Sequence, residues 1–338
     1  MIETGPVESI LKHQASSSMA FKPSDVNLTE CFVPTSKFAG DEEENTINEP
    51  YHAEMKIVPL VPKYPKEIQV VAIDSTSFTL GHIEDGIIGT IRASVIVKPA
   101  GKSEWSLEKY GPHVLQITEQ GKDQLYQQLY RAVYGVEANP RAPDPAAMLD
   151  HTRALFERYI QQEATRECKA SLIMLDGSLI ESAVGQLSFF LSRTIDQAAR
   201  NNNVLVAVSK TTRLILERSK RNILSLLEGV RGPCCVGAVR DKIVQNPDRY
   251  LGEIYVARLS PLGEAFRIDL PRNATMTHDE ILGYVSGLSG EDGYPDPLRL
   301  AHMTCVMSAI EILELQAAAM AMYGLTMKED LRTILFPL

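Results

Sequence analysis

Two apolar runs in this chain end on a carboxylate. In VVAIDSTSF the run Val70 to Ile73 stops at Asp74, and in SLIMLDGSLIES the run Leu172 to Leu175 stops at Asp176, with Gly177 and Ser178 next. A strand buried on both faces reads as such an unbroken apolar run, and its carboxyl end is where open α/β sheets place ligands. Asp176-Gly177 suits a plain turn or a helix cap equally well. Asp74 is harder to dismiss, because a charge in or beside a central strand is costly unless it is paired or binds a cation.

Carboxylates held close together repel, and a shared proton or divalent ions relieve the repulsion. Mg²⁺ and Mn²⁺ prefer oxygen ligands, and a pair of such ions clamps the attacking and leaving oxygens of a phosphodiester displacement. Further ligands are then needed. Glu157 borders a helical stripe of Leu149, Thr152, Phe156, Tyr159 and Ile160 and can reach inward; Glu163, near the same stripe, competes with it, and either also reads as an exposed helix glutamate. His302 heads a stripe continued by Val306, Ala309 and Leu313. A histidine there is ordinarily a satisfied core residue, yet imidazole also binds Mn²⁺ and moves protons. Tyr294, in a Gly-Tyr-Pro turn, is either an aromatic plug under a loop or a hydroxyl and ring for a phosphate and a base.

The elements that must position these residues form a mixed α/β pattern. Residues 1–50 carry little apolar periodicity and end in GDEEENTINEP, an irregular N-terminal arm ahead of a domain over 51–338. Val70 to Ile73 and Ile87 to Val97 read as a hairpin turning at Asp85-Gly86. Helical patterns run from Gln120 to about Ala170, interrupted by EANPRAPDP. A strand at Ser171 to Leu175, a helical stretch from near Leu179, a strand at Asn203 to Lys210 and basic helical turns follow. A second hairpin spans Glu253 to Leu259 and Ala265 to Leu270. Thr277 and Glu280 form a capping box, with His278 an exposed first-turn residue. Asp296 as N-cap and Pro297 at the first position open a long C-terminal helix.

The 338-residue chain is 44% hydrophobic, enough for a large core. A basic leader followed by an apolar core is missing, as is an apolar run of about 18 residues, so the expected place is the cytoplasm and not a membrane. Five cysteines without a CxxC pair read as reduced thiols. A net charge of −9 excludes nucleic-acid binding through bulk positive charge. Local contact is left open by Lys210 to Lys242, which holds eight basic residues against three acidic ones; a solvated helix face is the competing reading.

The order of an aspartate on a hairpin strand, a helix glutamate, LDGSL, and GYPDPLRLAH at the head of the last helix resembles the NurA family of nucleases, from Lys56 to Leu315. The resemblance implies a ribonuclease-H-like mixed sheet flanked by helices, and Mn²⁺ or Mg²⁺ held by Asp74, Glu157, Asp176 and His302. It implies Tyr294 beside them, with Lys210 of VAVSK and Arg213 contacting DNA. It further implies single-strand endonuclease and 5′-3′ exonuclease action on single- and double-stranded DNA. The setting would be end resection and double-strand break repair, by a homodimer partnered with the hexameric translocase HerA. Two rival readings stand beside it. An actin-like phosphotransferase also holds metal with paired aspartates, but DSTSF lacks the glycine two residues after Asp74 that lets a phosphate approach. A ribonuclease-H-like scaffold that has lost its metals and only docks a ring-shaped ATPase is the other.

Overall fold

The structure, a computed structural model, describes residues 2, 5–16, 25–26, 45–47, 56–135, 141–181, 190–237, 239–323 and 326–327. The strands are β1 Asp25–Val26, β2 Asn45–Ile47, β3 Ile57–Pro59, β4 Gln69–Ile83, β5 Gly86–Lys98, β6 Ser106–Thr118, β7 Ser171–Asp176, β8 Val204–Ser209, β9 Leu214–Leu216, β10 Cys234–Val236, β11 Gly252–Arg258, β12 Ala265–Pro271 and β13 Thr326–Met327. The helices are α1 Gly5–Ser16, α2 Lys122–Tyr134, α3 Pro145–Glu167, α4 Phe190–Arg200, α5 His278–Gly287, α6 Asp296–Cys305 and α7 Ala309–Tyr323.

Nine strands form one mixed sheet in the order β3-β10-β11-β12-β8-β7-β4-β5-β6. Its centre is the expected ribonuclease-H-like arrangement: β4, β5 and β6 form an antiparallel meander, and β7 and then β8 add in parallel beside β4. Side chains on a strand alternate between faces. Val71 and Ile73 of β4 therefore pack toward α1–α4, while Val70 and Ala72 pack with α5 and α6.

Helix α3 starts where Asp144 accepts a hydrogen bond from the Ala147 N–H at 3.0 Å, and Pro145 fits the first turn, which lacks a donor requirement. Leu149, Thr152, Phe156, Tyr159 and Ile160 are all buried, as their spacing requires. Both hairpins and the Thr277 cap are also present.

Several expectations need correction. Within residues 1–50, Gly5–Ser16 is a helix that buries Val7 and Leu11 against β6. Of the acidic run, Asn45–Ile47 pairs with β9, and Asp41 to Glu44 lie outside the described residues, as does Cys31. β6 falls where no strand was read. Leu179 to Glu181 is not helical; Ile180 bridges to Tyr250, residues 182–189 lie outside the described ones, and the helix is Phe190–Arg200. Lys210 to Lys242 carries short strands and 3-10 turns and no α-helix, so it presents no helix face. His278 is half-buried, bonded to the Tyr255 hydroxyl at 2.8 Å and the Pro271 carbonyl at 3.1 Å.

The C-terminal helical run opens at Asp296 itself, one residue ahead of the expected start, and breaks at Val306 to Ser308. The break separates His302 from Ala309 and Leu313. Ser308 and Glu311 form a reciprocal capping box that starts α7, and Arg92 of β5 holds the Glu311 carboxylate at 2.8 Å. Asp296–Tyr323 is long and apolar enough to cross a membrane, and 22% of its most apolar window is buried: α6 seats Leu298, Ala301 and Cys305 in the core and α7 buries Gln316, Ala319 and Tyr323, while Met303, Ile310 and Met322 are exposed.

The Arg92 hydrogen bond, the Ser308 N–H and the charge of Arg92 hold the Glu311 carboxyl well below its ordinary 4.5, at about 2. A depressed carboxylate stabilises the fold above the unfolded pKa and loses that contribution as pH falls through the folded one. Docking of α7 should therefore weaken between pH 4.5 and about 2. Acid titration followed by hydrogen exchange of α7 should show this loss in the parent and a flatter profile in Arg92→Met.

Candidate metal centre

The strand register brings the two aspartates together. Ile73 of β4 pairs with Leu175 of β7, so Asp74 and Asp176 are the next residues of adjacent parallel strands. Alternation puts Asp74 on the face of Val70 and Ala72, and Asp176 on the face of Leu172 and Met174, all of one core cluster. Both carboxylates thus leave the sheet on the side covered by α6. Neighbouring strands lie about 4.8 Å apart, close enough for the two charges to interact strongly.

The chain turns away after Asp176 through Gly177, whose φ of +134° disfavours any residue with a Cβ. That turn is held at three points. The Gly177 N–H donates to the Val208 carbonyl at 3.0 Å, Ser209 Oγ donates to the Gly177 carbonyl at 2.5 Å, and the Leu179 N–H donates to Asp269 Oδ2 at 2.9 Å. Asp269 itself is clamped by Arg267 through two bonds of 2.7 Å, both residues being buried.

His302 reaches the same place from α6, its Nδ1 lying 2.7 Å from Asp74 Oδ2. The ring is exposed at the surface, contrary to a core histidine, while Asp74 is buried. The hydrogen bond to Asp74 raises the imidazole pKa against the opposing effect of partial burial. Three residues further along the helix, Cys305 Sγ joins Asp74 and His302 in a group whose ligating atoms lie within 4.8 Å of one another.

Tyr294 is buried beneath this group. Its ring packs on Phe266 at 5.7 Å, with Lys210 Nζ 4.3 Å above it and Arg299 at 5.7 Å. Among the described residues its hydroxyl has no hydrogen bond of good geometry, and Asp176 is an acceptor it faces. Burial first, then the charges of Asp176 and Asp74, push its pKa far up, so the hydroxyl keeps its proton and faces both carboxylates. A buried donor held this loosely among acidic groups fits a site built for a further ligand. Lys210 bonds Asp176 Oδ2 at 3.2 Å, at the solvent edge of the site. Arg213 is exposed, and among the described residues no bond ties its side chain to the carboxylates.

Glu157 is held differently. It rises from α3, on the other face of the sheet, and meets Ser75, whose hydroxyl donates to Glu157 Oε2. Arg153 Nη1 donates to the same oxygen at 2.9 Å and Gln161 Nε2 to Oε1 at 2.9 Å. Burial raises the Glu157 pKa, Arg153 opposes this, and the charge of Asp74 adds to it. The carboxylate therefore senses Asp74 while a guanidinium stands where a cation could. Glu163 is occupied by Arg166 at 2.5 Å. Neither glutamate is a free surface group.

Ser75, Arg153 and Cys305 were not singled out from the sequence. Arg153 sits four residues before Glu157 and Cys305 three after His302, helical spacings that place each beside its partner.

Asp176 and Glu157 fall outside the three-residue group of Asp74, His302 and Cys305, so a hard divalent ion, which prefers oxygen donors, would need Asp176 drawn toward Asp74 and His302. The NurA domain family matches residues 68–306, most of the chain, from the first hairpin strand to just past Cys305. This chain belongs to the NurA family. That match spans Asp74, Glu157, Asp176, Tyr294 and His302. Among solved structures the chain is similar to the NurA nuclease of Sulfolobus solfataricus, with 16% identity over 79% of this chain and 87% of that one and a TM-score of 0.42. It is also similar to an endonuclease V from Streptomyces avermitilis, at 12% identity, 78% and 88% coverage and a TM-score of 0.37. Another NurA structure gives 13%, 77% and 90%, and 0.35. Against curated proteins the NurA chain has no match.

Proposed function

We propose that this protein is a Mn²⁺-dependent deoxyribonuclease, with Mg²⁺ as the alternative ion. It acts on single-stranded DNA as an endonuclease and on single- and double-stranded ends as a 5′-3′ exonuclease. Its setting is end resection and double-strand break repair in the cytoplasm, as a homodimer working with a HerA-type translocase. Family membership supports the nuclease class. The observation that carries the catalytic reading is the adjacent register of Asp74 and Asp176 on one face, beside an imidazole held by Asp74.

In this reading Asp74, Asp176 and His302 hold the metal, and Glu157 joins them when Arg153 swings off its carboxylate. Bound divalent ions would supply a water of lowered pKa and charge to stabilise the leaving oxygen. The remaining work falls to the chain. Lys210, released from Asp176, neutralises a phosphate at the mouth of the site, with Arg213 behind it on the strand's path. Tyr294 donates its proton to a non-bridging oxygen. The exposed imidazole of His302 exchanges protons with solvent while Asp74 fixes its ring. Contacts of this kind read backbone and not base edges, as end processing requires.

Cleavage of end-labelled single- and double-stranded DNA should occur with Mn²⁺, more weakly with Mg²⁺, and not in EDTA. Cleavage that survives EDTA would remove the metal centre, and none with either ion, even with a HerA-type partner, would return the scaffold reading. Tyr294→Phe separates stability from activity. Deleting a buried hydroxyl that lacks a well-formed hydrogen bond should leave thermal stability equal or higher, since such a group costs ~1–3 kcal/mol. Loss of its bond to a charged phosphate, worth ~1.5–3 kcal/mol, should cut turnover ~10-fold or more. Unchanged turnover would confine Tyr294 to packing.

A further inference from the structure

Cys305 has no part in the chemistry above, yet it lines the same centre. Its side chain is fully buried and free of any disulfide, and its thiol donates to the His302 carbonyl at 3.3 Å. Its Sγ, a carboxylate oxygen of Asp74 and a ring nitrogen of His302 lie within 4.8 Å of one another. A tetrahedral ion with bonds of roughly 2.0–2.3 Å holds its ligand atoms roughly 3.3–3.7 Å apart. Small side-chain rotations at three residues close that difference, and the exposed imidazole provides the way in.

The thiol distinguishes between ions. A hard ion such as Mn²⁺ or Mg²⁺ takes oxygen donors and gains little from sulfur. A thiophilic ion changes this, because thiolate is a strong ligand for it and affinity for such donors rises from Mn²⁺ through Co²⁺ to Zn²⁺.

We propose that Asp74, His302 and Cys305 form a second-use site for a thiophilic divalent cation of the Zn²⁺ class, whose occupancy inhibits the hard-ion centre built on Asp74. On binding, the S–H bond breaks and a sulfur–metal bond forms. The sulfur keeps the electron pair, and the proton leaves to solvent, with no change of oxidation state. Water completes the tetrahedron. The inhibition rests on the nuclease reading; the binding does not. Nuclease activity would then be silenced by a metal that competes through a ligand the activating ion ignores.

Co²⁺ is the probe for the binding, since a cobalt–thiolate bond gives a near-ultraviolet charge-transfer band. The full chain should show that band, and Cys305→Ser, which keeps the hydrogen bond to the His302 carbonyl, should lack it. Cys305→Ala guards against a folding defect: both variants should keep the parent's melting temperature in EDTA and its Mn²⁺-supported cleavage. Zn²⁺ should inhibit parental cleavage at concentrations ~10-fold or more below those needed for either variant. A band that persists without Cys305, no band in the parent, or equal Zn²⁺ sensitivity would overturn the proposal. A Cys305-dependent band in a protein that never cleaves DNA would uphold the site and remove the nuclease reading instead.

Discussion

Asp74→Asn should lose metal-dependent cleavage by ~10³-fold or more, because in the proposed mechanism several kcal/mol of transition-state charge stabilisation would pass through an ion held by this carboxylate. The fold should survive. Asn fills nearly the same volume, the backbone bonds of β4 to β5 on one side and to β7 just before it remain, and one of two closely spaced negative charges is removed. Melting in EDTA is therefore expected to stay equal to the parent or rise. The decisive contrast is with metal present: Mn²⁺ at about 100 times its dissociation constant should stabilise the parent by about 2.7 kcal/mol and the variant far less. Asp176→Asn should also lose cleavage, and in addition it frees Lys210 from its 3.2 Å partner. Full cleavage by Asp74→Asn would sink both the metal centre and the proposed mechanism.

The largest stability effect is expected some distance from the carboxylates, at Arg267. This side chain is wholly buried, paired with the equally buried Asp269, and lies over the Tyr250 ring at 5.5 Å. Arg267→Met leaves Asp269 charged and uncompensated inside the protein, a change that costs about 3–5 kcal/mol. That is a large part of a typical ~5–15 kcal/mol of total stability. Urea denaturation should show the midpoint fall at unchanged slope. The double change Arg267→Met with Asp269→Leu should recover most of the loss, since an apolar pair of similar volume often replaces a buried ion pair without penalty. It should not restore activity, because the Leu179 N–H then loses its acceptor and the turn after Asp176 loses one of its three holds. A double variant as unstable as the single one would show that Asp269 serves chiefly the turn and not the guanidinium.

Much of the site was legible because it follows simple rules. An apolar run that stops at an aspartate occurs twice, at Asp74 inside β4 and at Asp176 at the end of β7, and the buried stripe of α3 fixes the helix that carries Glu157. The partners were harder to read. Arg153 and Ser75 meet Glu157 only because α3 crosses β4, and no local pattern encodes that crossing. β6 is hard to read because Gly111-Pro112 interrupts it and its early residues are solvated, so that Tyr110 falls out of step with the period-two burial of His113, Leu115 and Ile117. The break after Cys305 was written as Ser308 and Glu311, a start signal hidden inside an otherwise continuous helical composition. α1 escaped because a helix that buries Val7 and Leu11 against a distant strand shows little periodicity of its own.

Asp74 lies within a fifteen-residue strand, with pairing to β5 continuing on both sides of it, whereas Asp176 is the last residue of a six-residue one. The two are thus unequal mechanically. One is a post built into the sheet; the other, paired with Val208 of β8, stands next to a turn held by three hydrogen bonds. An ion held as proposed would take its location from the post and its tolerance from the turn beside Asp176.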